Sequence, residues 1–399
     1  MARSLYPHAF LVDLIPLYPL YALLFADSGL SATQISSLLI LWSFTAFVLE
    51  IPSGVLADLV PRRFLLTAAP LLSAAGFALW TFFPVYPAFA AGFMLWGTGE
   101  AITSGTRQAL VYDELDRAGA ASAYARLIGR SRALGTIAVV TATAAAAPLL
   151  AHGGYTAVGT VSIAAALAAA PIGYSFPEGP RPRKGGTGTG RQVKTAGERK
   201  GAFQWLGPHL HVMRTALSEV RHAPGARPAL FAVAMLMGLY ALEEYLPFLV
   251  LSFAGDAALV PLLLVPSAVA AAAGEGLAGR GGRRAAPLAA AGALLLAVGA
   301  LVGHMPGILL VSAAFGVFAW ASVIAETRLQ DAVSGDARAT VVSMSGFGAE
   351  GVAIATFAAY GLGSGFAGPG ALFAAASLGF LAVVPALRRR ARGPRSERY

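Results

Sequence analysis

The chain has 399 residues, of which 57% are hydrophobic and 12% charged, with a mean hydropathy of +0.67. A soluble domain carries about 25% charged residues, so this composition cannot build a water-facing shell, and lipid must cover much of the exterior. Cysteine is absent, which excludes disulfides, thiolate metal sites and cysteine nucleophiles.

A bilayer core needs about 20 apolar residues per helix. The pattern predicts spans over 6–26, 34–57, 64–84, 86–110, 127–150, 155–176, 228–252, 258–279, 285–303, 307–329, 340–363 and 368–387. The first has no small-residue cleavage site behind it and reads as a membrane helix, not a signal peptide. The expected fold class is therefore an all-α membrane protein of twelve transmembrane helices. The connections are short except for 177–227, which divides the spans six and six. The expected organisation is an N-terminal bundle over 1–176, a linker over 177–227, a C-terminal bundle over 228–387 and a basic tail over 388–399.

Residues 178–200 of the linker are rich in Pro, Gly and basic residues, a composition that buries no core and reads as disordered. Beyond them Leu206, Leu210, Met213, Leu217 and Val220 form a helical stripe. It predicts an amphipathic helix at about 203–221, lying on the membrane surface or docked on the bundle.

The net charge of +9 is segregated. With the N-terminus in the cytoplasm, the outer connections near 27–33, 85, 151–154, 253–257, 304–306 and 364–367 contain no Lys or Arg. The inner ones hold Arg62, Arg63, Arg117, Arg126, Arg280, Arg283, Arg284 and Arg338, and the tail begins Arg388-Arg389-Arg390. This placement predicts an even number of spans, both termini cytoplasmic, in a cell (inner) membrane. Cytoplasmic arginines beside spans are topology signal and anionic-lipid contacts, so no nucleic-acid partner is expected.

The two halves also share short matches. Ala57 to Arg63 aligns with Ala278 to Arg284, and Thr106-Arg107 with Thr327-Arg328, at one offset of 221 residues (278 − 57 and 327 − 106). They suggest two six-helix repeats around a midplane site. Gly54-Val55-Leu56-Ala57-Asp58-Leu59-Val60-Pro61-Arg62-Arg63 resembles the loop 2–3 signature of the major facilitator superfamily. It keeps the Gly, the Leu-Ala-Asp and the Arg pair, and departs at Leu59 and Pro61. Glu50-Ile51-Pro52-Ser53-Gly54 resembles the span-two ending of one branch of that family. Ser104-Gly105-Thr106, Tyr112-Asp113 and Arg338-Ala339-Thr340-Val341-Val342-Ser343 resemble further segments of it. The resemblance implies a conformational switch built from Gly54, Asp58, Arg62, Arg63 and Asp113, with Asp58 meeting the start of span eleven. Phe93 stands where the family's span-four arginine is usual, and span five lacks the regular glycines of the antiporter motif.

Ionisable groups inside spans are costly and are functional candidates by default. Asp13, Glu100, Glu243, Glu244 and Glu350 are the intramembrane carboxylates chosen for substrate or proton binding, with Tyr240 and Tyr245 beside the Glu pair. A low dielectric favours a neutral carboxyl, which proton coupling requires. Arg130 or Arg132 is the expected partner if Glu100 is structural. Glu50 and Glu275 read as structural, and Arg107 and Arg328 as snorkelling side chains.

Gly346-Phe347-Gly348-Ala349-Glu350-Gly351 spells G-x-G-x-x-G inside an apolar span, where helix packing explains it better than a nucleotide. The histidines have no metal-ligand spacing, and no catalytic motif is present, so no metal, cofactor or enzymatic activity is expected. The function these features favour is a monomeric secondary transporter. It would work by alternating access, exporting a drug-like or cationic compound by proton antiport. Proton symport of a nutrient and a non-transporting membrane sensor or scaffold are the other readings.

Overall fold

The computed structural model describes residues 1–179, 225–333 and 335–388, with positions 51, 54, 55, 58, 335–340, 342 and 343 described by backbone alone. The amphipathic stretch 203–221, the tail beyond 388, the Asp58 side chain and the surroundings of Gly54 lie outside the described residues, as do the side chains of 338–340, 342 and 343.

The described residues form helices and contain no strand. In chain order the helices are α1 Ala2–Asp13, α2 Tyr21–Asp27, α3 Ala32–Leu59, α4 Arg62–Phe82, α5 Tyr86–Thr103, α6 Thr106–Arg117 and α7 Tyr124–Tyr174, then α8 Ala226–Tyr240, α9 Leu246–Ala254, α10 Val260–Leu277, α11 Ala285–Leu301, α12 Met305–Asp331, α13 Gly335–Gly363 and α14 Pro369–Arg388. Eight segments among them are long and apolar enough to cross a membrane.

Several predicted spans are interrupted, each for a local reason. The span at 6–26 breaks between α1 and α2, where Pro16 and Pro19 remove backbone donors. The irregular stretch satisfies its backbone within the protein. Leu17 N donates to the buried Ser162 Oγ at 3.0 Å, and Tyr21 N to Leu17 O at 2.8 Å. Non-helical backbone is tolerated at membrane depth only where protein covers it. The span at 86–110 breaks at Gly105, whose φ of 69° suits only a residue without a Cβ. The expected loop at 151–154 is instead a kink in α7 at Gly154 (φ 61°, ψ −165°), which divides that 51-residue helix into two legs. The span at 228–252 passes through a 3-10 turn at Ala241–Tyr245.

In the first half α1 packs on α7, α3 on α5, and α4 on α5 and α7; in the second, α8 packs on α13, α10 on α12, and α11 on α12 and α14. The halves meet where α3 contacts α13 and α7 contacts α10.

The halves are sealed together at one end. Thr33 Oγ1 donates to Gly361 O at 2.8 Å, and the Ser36 and Tyr245 hydroxyls are 2.6 Å apart. A Cβ on Gly361 would stand 2.7 Å from Ser36, so glycine lets the two backbones approach. An aromatic cluster fills this end of the first half: Tyr21, Phe25, Trp80, Phe89 and Phe93 pack ring on ring, with Phe25 and Phe89 4.1 Å apart. Phe93, in the slot where an arginine is usual, is fully buried there.

Candidate functional site: a cavity between the halves

The breaks in α1–α2 and Ala241–Tyr245 direct side chains into a cavity of about 340 Å³. Tyr18, Tyr21, Trp42, Trp96, Glu100 and Thr143 line it from the first half, and Glu243, Glu244, Pro247, Leu264 and Ser267 from the second. Tyr18, Trp96 and Glu100 also line a second chamber of about 450 Å³ inside the first half. This chamber runs past Asp13 and Ser73 to His8, Arg107 and Gln108. Ser104, Gly105 and Gln108 at its far end are exposed, whereas Tyr21 and Phe25 at the sealed end are 2% and 0% exposed. The joined space is thus reached from the Arg107 end and shut at the Thr33 end.

Its wall is a stack of planar rings. Tyr18 stacks on Trp96 with centroids 5.4 Å apart, and Trp96 on Trp42 at 5.0 Å. Trp42 Nε1 donates to Glu100 Oε2 at 3.0 Å, fixing the carboxyl at the edge of the stack. The Tyr21 hydroxyl donates to Glu244, joining the halves across the cavity. Tyr240 lies within hydrogen-bonding reach of Glu243 and packs edge-on against Phe315. Aromatic faces beside carboxyl groups attract organic cations by both charge and ring quadrupole.

The structure gathers Glu100, Glu243 and Glu244 into one cavity and places Asp13 in the adjoining chamber, its carboxyl against Gly135. Glu350, Tyr240 and Tyr245 are absent from the cavity lining. Glu350 accepts from Ser43 on α3. Tyr245 is fully buried, 3.6 Å from Tyr360 in a parallel stack, and bonded to Ser36. Both belong to the contact between the halves. The expected partners of Glu100 are also not its partners: Trp42 is, while Arg130 and Arg132 are exposed.

Charged groups at the Arg107 end form a separate cluster. Arg62 Nη1 pairs with Asp113 Oδ2 at 2.6 Å. Arg63 lies 5.1 Å from the Tyr174 ring centroid instead of joining that pair. Glu178 accepts from the backbone N–H groups of Arg62 and Arg63 at 2.8 and 3.1 Å, capping α4 with a carboxylate where the helix dipole favours one. Gly179 N donates to Glu114. The linker's first residues, expected to be disordered from 178, are therefore docked on the first half at Glu178 and Gly179.

Sequence reasoning missed Tyr18, Trp42, Trp96 and Arg107 as cavity residues. The signal for Tyr18 was its position between Pro16 and Pro19, a predictable mid-span break. Trp42 and Trp96 carry no such mark, since an apolar helix face and a cavity wall look alike in sequence.

Apolar helices in two sets, enclosing a cavity of carboxyls and stacked rings that is open at one end, define a multi-pass membrane transporter. The sequence profile of the Major Facilitator Superfamily matches residues 9–357, and the chain belongs to that family. Solved structures agree on the fold. A point-mutant form of the nucleoside transporter NupG superposes with a TM-score of 0.75 at 14% identity, covering 97% of this chain and 98% of that one. An auto-inhibited peptide transporter of the POT family gives 0.70 at 12% identity, covering 100% and 98%. A bacterial homologue of the human lysosomal transporter Spinster, inward-facing and unoccupied, gives 0.66 at 17% identity, covering 97% and 93%. No curated protein sequence matches the chain.

Proposed function

We propose that this chain is a proton-coupled secondary transporter that exports a small organic cation by alternating access. One observation carries the reading: Glu100, Glu243 and Glu244 share a cavity with the Tyr18–Trp96–Trp42 stack, and residues of both halves line it. Carboxyls in such a space can exchange a proton for a cation, and a site formed by two halves is reshaped when they rock. The matching pattern of helix packing in the two halves supports twelve spans in two six-helix repeats.

In this reading both termini lie in the cytoplasm of a cell that keeps the protein in its inner membrane as a monomer. The cavity mouth at Ser104 and Gln108 then faces inward. Gly54, Asp58, Arg62, Arg63 and Asp113 act as the switch between states, with the Arg62–Asp113 pair as its described part. The branch suggested by Glu50-Ile51-Pro52-Ser53-Gly54 belongs to the same proposal.

The test is uptake of a panel of radiolabelled organic cations into inverted membrane vesicles with an imposed pH gradient, acid inside. Accumulation that collapses with the gradient and is lost in Glu100→Gln is the expected result. Accumulation that ignores the gradient would remove proton coupling, and its appearance only in right-side-out vesicles would reverse the direction.

A further inference from the structure

Arg107 stands at the far end of the inner chamber, and its geometry is unlike that of Arg328, 221 positions later. Arg328 donates to Leu387 O at 2.7 Å and to Gly282 O at 2.5 Å, tying α12 to its neighbours. Arg107 makes no such backbone tie among the described residues. Its Nε–H is fully buried and has no hydrogen-bond partner among the described residues. Asp13 is the acidic group that acts on it, yet no ion pair joins the two among those residues.

Two further features converge on the same chamber. His8 is 1% exposed and lines it. Its Nε2 lies 3.2 Å from Leu66 O, which can only accept, so Nε2 carries the proton. The other nitrogen, Nδ1, is then a buried acceptor without a partner among the described residues. The N-terminus of α6 also opens here: Gly105 is its N-cap, no side chain caps it, and Gly105 and Gln108 line the chamber. Uncapped N–H groups and the helix dipole favour an anion.

A buried guanidinium donor and acceptor left without partners are costly unless something bonds them. We propose that Arg107, with the N-terminus of α6, is an anion subsite for the substrate's carboxylate. The transported organic ammonium compound then carries a carboxylate as well: its ammonium faces Glu100 and Asp13, its carboxylate faces Arg107, and a donor group of the solute reaches His8 Nδ1. The two chambers meet at Tyr18, Trp96 and Glu100, so one molecule can bridge them. This inference rests on the joined cavity being the substrate site.

The test uses the purified full-length chain and its tryptophan fluorescence, since Trp42 and Trp96 line the cavity. Three probes share one skeleton: phenylalanine carries both charges, phenethylamine only the ammonium, and 3-phenylpropionate only the carboxylate. Phenylalanine should saturate at a concentration about tenfold below phenethylamine, the worth of one charge-assisted hydrogen bond. Arg107→Gln should erase that difference while leaving phenethylamine unchanged, and Arg107→Lys should keep most of it. Equal affinity for the two amines in the unaltered protein, or a difference that survives Arg107→Gln in a monodisperse preparation, would overturn the anion subsite. A phenethylamine response that survives Glu100→Gln would instead count against the cationic cavity, so the two readings fail separately. Should Arg107→Gln not yield folded protein, Arg107→Lys decides: retention of most of the response to 3-phenylpropionate supports the subsite, and loss of that response in Arg107→Lys, or its absence in the unaltered protein, overturns it.

Discussion

The two halves hold related arginines in opposite states, and the contrast separates site from scaffold. Arg328 donates to two backbone carbonyls, so it closes a helix contact. Arg107 faces a chamber with a buried donor unbonded among the described residues. The same asymmetry runs through the cavity. The first half supplies the rings Tyr18, Trp42 and Trp96 together with Asp13 and Glu100, while the second supplies Glu243 and Glu244 and an apolar wall. The cavity is thus lined unequally, with its stacked rings on one side and a pair of adjacent carboxyls on the other. The lesson is that position in a repeat does not assign a role; the bonds a side chain already makes do.

The sharpest way to break this comparison is to neutralise one carboxyl on each side of the cavity. Glu100→Gln and Glu244→Gln should each abolish gradient-driven transport in vesicles while leaving membrane insertion normal. Transport that persists in either variant removes that half's carboxyl from the mechanism.

Next in size is the arginine contrast itself. Arg328→Gln should destabilise the protein by about 1 kcal/mol, because two part-buried carbonyls lose a charged donor. Arg107→Gln should cost far less stability, having no bond to lose among the described residues. Thermal unfolding of the detergent-solubilised chain compares the two, and equal losses would make Arg107 scaffold as well.

A smaller effect is expected at the ring stack. Trp42→Phe keeps an aromatic face but removes the donor to Glu100, a change of about 1 kcal/mol, read as a several-fold loss of affinity for organic cations.

The smallest effect concerns the sealed end. The chain has no cysteine, so Thr143→Cys places one reporter in the cavity. It should react with a membrane-impermeant maleimide mainly from the side on which Gln108 lies. Adding Thr33→Ala, which deletes the bond to Gly361, should raise labelling from the opposite side by a few-fold, as expected for a loss of about 1 kcal/mol.

Much of the fold was legible because lipid imposes strong, local demands. Spans near 20 residues and arginines sorted by side follow from composition alone, and a short signature around Asp58 sufficed to suggest the family. The breaks were less legible. Pro16 and Pro19 signal one, but Gly105 and Gly154 sit among many glycines whose backbone angles no local pattern reveals. Among the candidate residues, Glu100, Glu243 and Glu244 lie on the cavity, whereas Glu350 and Tyr245 lie in the contact between the halves. Depth in the membrane can be counted along a chain; the direction a side chain faces cannot.

By itself, then, the sequence determined that this is a multi-pass helical membrane protein with costly charges at mid-depth, since hydrophobic length and charge are properties of consecutive residues. Only the tertiary structure decided which charges meet, that Trp42 holds Glu100 and Tyr21 reaches Glu244, and that Arg107 Nε has no partner among the described residues while Arg328 ties two carbonyls. Those outcomes depend on pairs up to 223 positions apart in the chain, brought together by packing between helices and not by any local preference.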